Sequence, residues 1–172
     1  MKLMETHQAK IMKLARRIKS IFFKPQEVHV ECLHNDKVFA KLIEFAKKNK
    51  NIPYMINTDY EYAKHRSGNF KLSRVQYNKI LRTRIFALAS IVKEIGLHPH
   101  LWVHYEDPLP YIEQAKRIVL NLRFLLNLLI MPTQISFGWW NYNASTETIC
   151  KCYNLKIRPR CVFIHDYDLV KK

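Results

Sequence analysis

Short apolar runs and longer amphipathic stretches take turns along this chain. The apolar runs at residues 27–33, 52–56, 97–105, 133–137 and 161–164 read as strands. Between them lie helical patterns. Residues 37–49 put Val38, Leu42, Phe45 and Ala46 on one side, as an amphipathic helix does. Ser73 can cap a helix running to about Ile95, with Gly96 at its end. After Pro110 a long apolar helix is expected up to Met131, and a shorter one from Ser145 to about Asn154. Residues 60–72 read as a loop turning at Ser67-Gly68-Asn69.

Strand followed by helix, four times, with a closing strand, predicts an α/β fold with a parallel sheet and right-handed crossovers. Residues 3–22 predict a basic amphipathic helix ahead of it, with Leu3, Ile11, Leu14 and Ile18 along one stripe. It could pack across the sheet or act as an arm toward a membrane surface or nucleic acid. No linker divides the 172 residues, so one domain is expected over 1–172: residues 1–24 as the helix and 25–172 as the β/α core.

Composition changes this picture little. Only 3 glycines are present, which suits helices and strands joined by short polar loops. The balance of 29 Lys+Arg against 14 Asp+Glu, net +15, would attract polyanions, nucleic acid among them, or simply coat the surface with solvated lysine. Cys32, Cys150, Cys152 and Cys161 lack the spacing of a zinc knuckle and imply no disulfide framework. That favours a cytoplasmic setting. The charged first twenty residues do not read as a secretory signal, and the apolar run 118–131 is too short to span a bilayer.

The candidate chemistry gathers after the strands. His34-Asn35-Asp36 follows the first, Asn57-Thr58-Asp59 the second, and Trp139-Trp140-Asn141 the fourth. His98, His100 and His104 lie in or after the third, and His165-Asp166-Tyr167-Asp168 follows the fifth. Parallel α/β sheets build their sites at that edge. His98-Pro99-His100 on extended chain would point two imidazoles to one face. With Asp36 as carboxylate, they would form a site for a divalent ion such as zinc. The adjacent tryptophans would suit the apolar face of a sugar or base.

These segments resemble the polysaccharide deacetylase (NodB-homology) family. Residues 28–57 are similar to its first motif, helix and second strand, 94–100 to its histidine motif, and 135–143 to its third motif. The resemblance covers residues 27–168. It implies a distorted or partial (β/α) barrel and a divalent metal held by one aspartate and two histidines. It also implies a neighbouring aspartate as base and hydrolysis of an acetylated glycan. Carried over, Asp36 is the metal aspartate and His98 the first histidine, with His100 or His104 the second. Asn35 stands at the base position, where an amide cannot accept a proton. The base would then be Asp59, Asp166 or Asp168, with His165 protonating the leaving group. Asn35, Trp139, Trp140 and Asn141 would meet the substrate. Ser136 stands near the third motif's arginine. A degenerate member would bind glycan without hydrolysing it.

The competing reading is a nucleic-acid-binding protein or a metal-dependent nuclease. His98-Pro99-His100 weakly resembles the histidine motif of rolling-circle replication endonucleases, with Tyr77 as nucleophile. That motif lies on an antiparallel sheet, so strand direction around Leu97 separates the two.

Overall fold

The computed structural model describes residues 24–67, 69–104, 107–138 and 142–171, with residues 102–104 and 107–108 as backbone alone. The helix expected over residues 3–22 lies outside the described residues, as do Trp139, Trp140 and Asn141.

Six strands form one all-parallel sheet: β1 (Glu27–Val30), β2 (Tyr54–Ile56), β3 (Ile95–Leu97), β6 (Gln134–Ile135), β7 (Lys156–Ile157) and β8 (Phe163–His165). Their order is β7-β6-β3-β2-β1-β8. Strands consecutive in this sheet lie side by side until the last, which pairs with the far side of β1. Helices α1 (Asp36–Lys48), α2 (Tyr60–Arg66), α3 (Arg74–Ala89), α4 (Tyr111–Leu126) and α5 (Ala144–Cys152) make the crossovers. A 3₁₀ helix, Asp166–Lys171, ends the described chain and packs on α1.

Strand alternation sorts the two faces. Val28, Val30, Tyr54, Ile56, Ile95, Leu97 and Ile135 belong to the apolar core with Leu42 of α1, Leu81 and Ile85 of α3, and Ile118 and Leu125 of α4. The other face is polar. Strands β1 and β7 have three others between them, so in a flat sheet they would stand about 19 Å apart at ordinary strand spacing. Yet Arg158, just past β7, donates to the Glu27 carboxylate at the start of β1. The sheet therefore curls, and its polar face becomes the lining of a partial (β/α) barrel.

Several boundaries differ from the sequence reading. The presumed loop 60–72 begins with helix α2, capped by the Asp59 side chain. Gly96 ends no helix; it sits inside β3, where a Cβ would meet Met55 Cε at 2.5 Å. The run 97–105 divides, because Pro99 cannot donate to a ladder. Residues Trp102–His104 form β4, antiparallel to β5 (Asp107–Pro108), and leave the sheet. The two-residue strand β7 falls where the sequence pattern predicts none. Among the described residues no helix is long and apolar enough to cross a membrane.

Candidate metal centre

Residues Glu27, His29 and Glu31 share one face of β1 and its extension, and all three point into the barrel. The Glu31 carboxylate, fully buried, divides its two oxygens between two sets of partners. Oε1 faces imidazoles: His100 Nε2 at 3.1 Å, His98 Nε2 at 3.3 Å and His165 Nδ1 at 3.4 Å. Oε2 accepts from Arg66 Nη1 at 2.8 Å and from the Tyr62 hydroxyl at 3.2 Å. Burial works to raise the Glu31 pKa, but the facing His100 and His98 rings outweigh it and hold the group well below its ordinary value.

Each histidine is held from behind. His98 Nδ1 lies 2.7 Å from the Ser136 carbonyl, which can only accept, so Nδ1 carries a proton. In the neutral ring Nε2 is then a lone pair, and it faces a carboxylate oxygen. Two acceptors at that distance repel unless a positive centre, a proton or a cation, lies between them. The His100 ring stacks on Tyr62 with centroids 3.9 Å apart. Its other side lies against Gly138, where a Cβ would come within 2.3 Å of Nδ1. His165 stacks on Tyr167 at 4.5 Å, and among the described residues its buried Nδ1 has no hydrogen-bond partner. Burial lowers the pKa of His100 and drives that of His165 well below its ordinary value.

Glu31, His98 and His100 thus offer three ligand atoms mutually within 4.8 Å. Four ligands at 2.0–2.1 Å around tetrahedral zinc stand about 3.3 Å apart. The carboxylate–imidazole separations are of that size, and a buried donor set of two imidazoles and one carboxylate suits a divalent ion. The residues present fit the metal.

The carboxylate that joins the histidines is Glu31, not Asp36. Asp36 is the first residue of α1, with an exposed side chain paired to Arg84. Asn35 is the N-cap of that helix, accepting from Lys37 N and Val38 N, and does not line the site. Both face outward because the chain bends away after Cys32 to start α1.

Other expected bases also have structural tasks. Asp59 caps α2 and lies 3.5 Å from Arg117. Asp168 pairs with Lys171 on the surface. Asp166 is fully buried beside the site, but Oδ2 accepts from the backbone of Glu31 and Cys32 and Oδ1 from Tyr167 N. Burial pushes its pKa up to about 7, against those backbone hydrogen bonds and with the Glu31 charge adding to the rise. The His104 side chain lies outside the described residues. His98, His100 and His165 are brought together as expected. Glu31 falls inside an expected strand, and Tyr62 and Arg66 inside an expected loop, so none of the three stands out as a site residue in the sequence. The period-two row Glu27, His29, Glu31 was the available signal, since a strand face of this kind is wasteful unless it lines a site.

The nuclease reading meets two obstacles. The histidines follow β3, which is parallel to both neighbours. Tyr77, its nucleophile, is buried with Tyr60 and Phe70 around it.

The curled parallel sheet has the fold of the NodB-like polysaccharide deacetylases. Solved structures with this fold include a family 4 carbohydrate esterase from Streptomyces lividans in complex with acetate, 10% identical with TM-score 0.56. That match covers 78% of this chain and 61% of the other. The peptidoglycan deacetylase PdaC from Bacillus subtilis is 14% identical with TM-score 0.52, covering 77% of this chain and 56% of its own. A mutant of the same deacetylase gives 0.51 over the same shares. The chain thus spans less than two thirds of the length of these structures. No protein-family model and no curated protein matches the sequence.

Proposed function

We propose that this chain is a metal-dependent hydrolase of the carbohydrate-deacetylase type, with Glu31, His98 and His100 holding the cation. The supporting observation is the convergence of imidazole nitrogens on Glu31 Oε1 while His98 Nδ1 is committed to a carbonyl. A divalent ion there would supply Lewis acidity, polarising an acetyl carbonyl and acidifying water. The remaining tasks fall to side chains. Arg66 and Tyr62 hold Oε2, so Glu31 presents a single oxygen inward. His165 lies 3.4 Å from Glu31 Oε1 with its side chain partly exposed, and burial lowers its pKa, so once protonated during turnover it would readily give that proton to the leaving sugar nitrogen or oxygen. Zinc is the ion this donor set favours, and an acetylated glycan the substrate the fold relatives suggest. Trp139, Trp140 and Asn141 follow Gly138 in the chain, and we assign them to the sugar.

One observation favours a second reading, glycan binding without turnover. Among the described residues no carboxylate is free to act as base at the triad, since Glu31 is committed to the cation and to Arg66 and Tyr62. Metal content of protein purified without a histidine tag tests the cation. Acetate release from an acetylated oligosaccharide and from a small acetyl ester tests hydrolysis, with Glu31→Ala as control. Metal and glycan binding without acetate release would select the second reading. Absence of metal from the protein, after incubation with zinc, would sink the hydrolase reading.

A further inference from the structure

Below the triad lies a second buried polar layer that the proposed chemistry does not use. Glu27, at the opposite end of the β1 row from Glu31, is fully buried and fully engaged. Its Oε1 accepts from His29 Nε2 at 2.5 Å and from the Ser136 hydroxyl at 2.9 Å. Its Oε2 accepts from Arg158, which also reaches Gln134. Apolar side chains of similar volume would fill such a floor at no loss of stability, and often with a gain. A charged floor therefore calls for a task.

The contacts of His98 point to that task. Its Nδ1–H donates to the carbonyl of Ser136, whose hydroxyl is tied to Glu27. Its ring lies 4.0 Å, centroid to centroid, from that of His29, which is also tied to Glu27. The same carboxylate thus anchors both groups that set the tautomer and the tilt of the His98 ring. Outer partners of metal-bound histidines commonly have this role, fixing the ring and raising its basicity as a ligand.

We propose that Glu27 and Ser136 are positioning residues for the cation site, acting through the backbone carbonyl of Ser136 and the ring of His29 on His98. This rests on the reading of Glu31, His98 and His100 as metal ligands. The two carboxylates of the row Glu27, His29 and Glu31 then divide the work: Glu31 binds the cation, and Glu27 holds a ligand in place from beneath.

The test uses the full chain loaded with Co²⁺, whose visible bands report ligand geometry, and with Zn²⁺ by calorimetry. Ser136→Ala removes the hydroxyl while leaving the carbonyl and every charge. Glu27→Gln keeps the size and removes the charge. Each should weaken metal binding about 10- to 100-fold, and each should shift the Co²⁺ bands, which a role in folding alone would not do. If Glu27→Gln fails to fold, Ser136→Ala decides. Wild-type affinity and an unchanged Co²⁺ spectrum in Ser136→Ala would overturn the positioning role while leaving the proposed function standing. A wild-type chain that takes up neither ion would overturn the metal site itself, and this inference with it.

Discussion

Arg66 Nη1 lies 2.8 Å from Glu31 Oε2, and this ion pair decides which carboxylate oxygen is left for the histidines. Arg66 is partly exposed, resting over the Tyr167 ring at 4.5 Å, whereas the carboxylate is wholly buried. Arg66→Met would strand a buried charge. In metal-free protein the expected loss is about 2 kcal/mol, below the figure for a fully buried pair because Arg66 reaches solvent. A bound cation would take over part of the compensation, so the loss should shrink in saturating zinc. Urea unfolding of both proteins, with zinc and with chelator, measures the difference. An equal loss under both conditions would mean the cation does not sit at Glu31.

The carboxylates near the first strand should separate cleanly by mutation. Glu31→Gln should abolish zinc binding measured by calorimetry. Asp36→Asn should leave it intact and cost less than about 1 kcal/mol, since its pair with Arg84 is surface-exposed on the acidic side. Asn35→Asp preserves a good helix cap and should not raise acetate release, because residue 35 faces away from the triad. A rise in activity with Asn35→Asp would restore the assignment read from the sequence.

These contrasts show what was legible beforehand. The alternation of strand and helix predicted the parallel sheet because each βα crossover must bury one apolar stripe. The histidines were legible because strand ends collect chemistry. The carboxylate was not, because the choice between Glu31 and Asp36 depends on where β1 gives way to α1. Asn35 caps α1, so Asp36 opens the helix with an exposed side chain, while Glu31 keeps the inward face of Glu27 and His29. Arg66 was hidden for a different reason: α2 is only seven residues long and carries too little apolar periodicity to be told from a loop.

Gly138 should prove intolerant in a way Gly96 is not. A Cβ on Gly138 would lie 2.3–2.6 Å from three atoms of the His100 ring, which Tyr62 blocks from behind. Gly138→Ala should therefore lower zinc affinity at least about tenfold, alongside an overpacking cost of about 1–3 kcal/mol. A Cβ on Gly96 would instead meet the flexible Met55 thioether and the Gln134 carbonyl. Gly96→Ala should destabilise the fold without a selective loss of metal. Calorimetry on both variants, each corrected for its folded fraction, compares them; equal zinc affinities would remove Gly138 from the site.

Acid should unfold the metal-free protein from the neutral range downward. Burial lowers the pKa of His29 from 6.5 to about 3, despite the nearby Glu27, and lowers those of His34, His100 and His165 as well. Below pH 6.5 the unfolded chain therefore takes up protons that the folded chain refuses, so stability falls with pH. Each such imidazole contributes a slope of up to about 1.4 kcal/mol per pH unit. Glu27 acts in the same direction at lower pH. Burial opposes its ionisation, but His29, Arg158 and Ser136 hold its pKa near about 2, so its contribution is present above pH 4.5 and lost toward 2. Asp166 runs the other way. Burial raises its pKa from 3.8 to about 7, so the folded chain holds a proton there that the unfolded chain has lost, and its contribution fades as pH rises through that range. One opposing group against four imidazoles leaves a net loss from pH 6.5 to 4, steepening below 4 where Asp166 no longer offsets the others. Denaturant unfolding in chelator at pH 7.5, 6, 5 and 4 gives the curve. Stability that held level or rose from pH 7 to 5 would mean the imidazoles are not buried as a neutral cluster around Glu31.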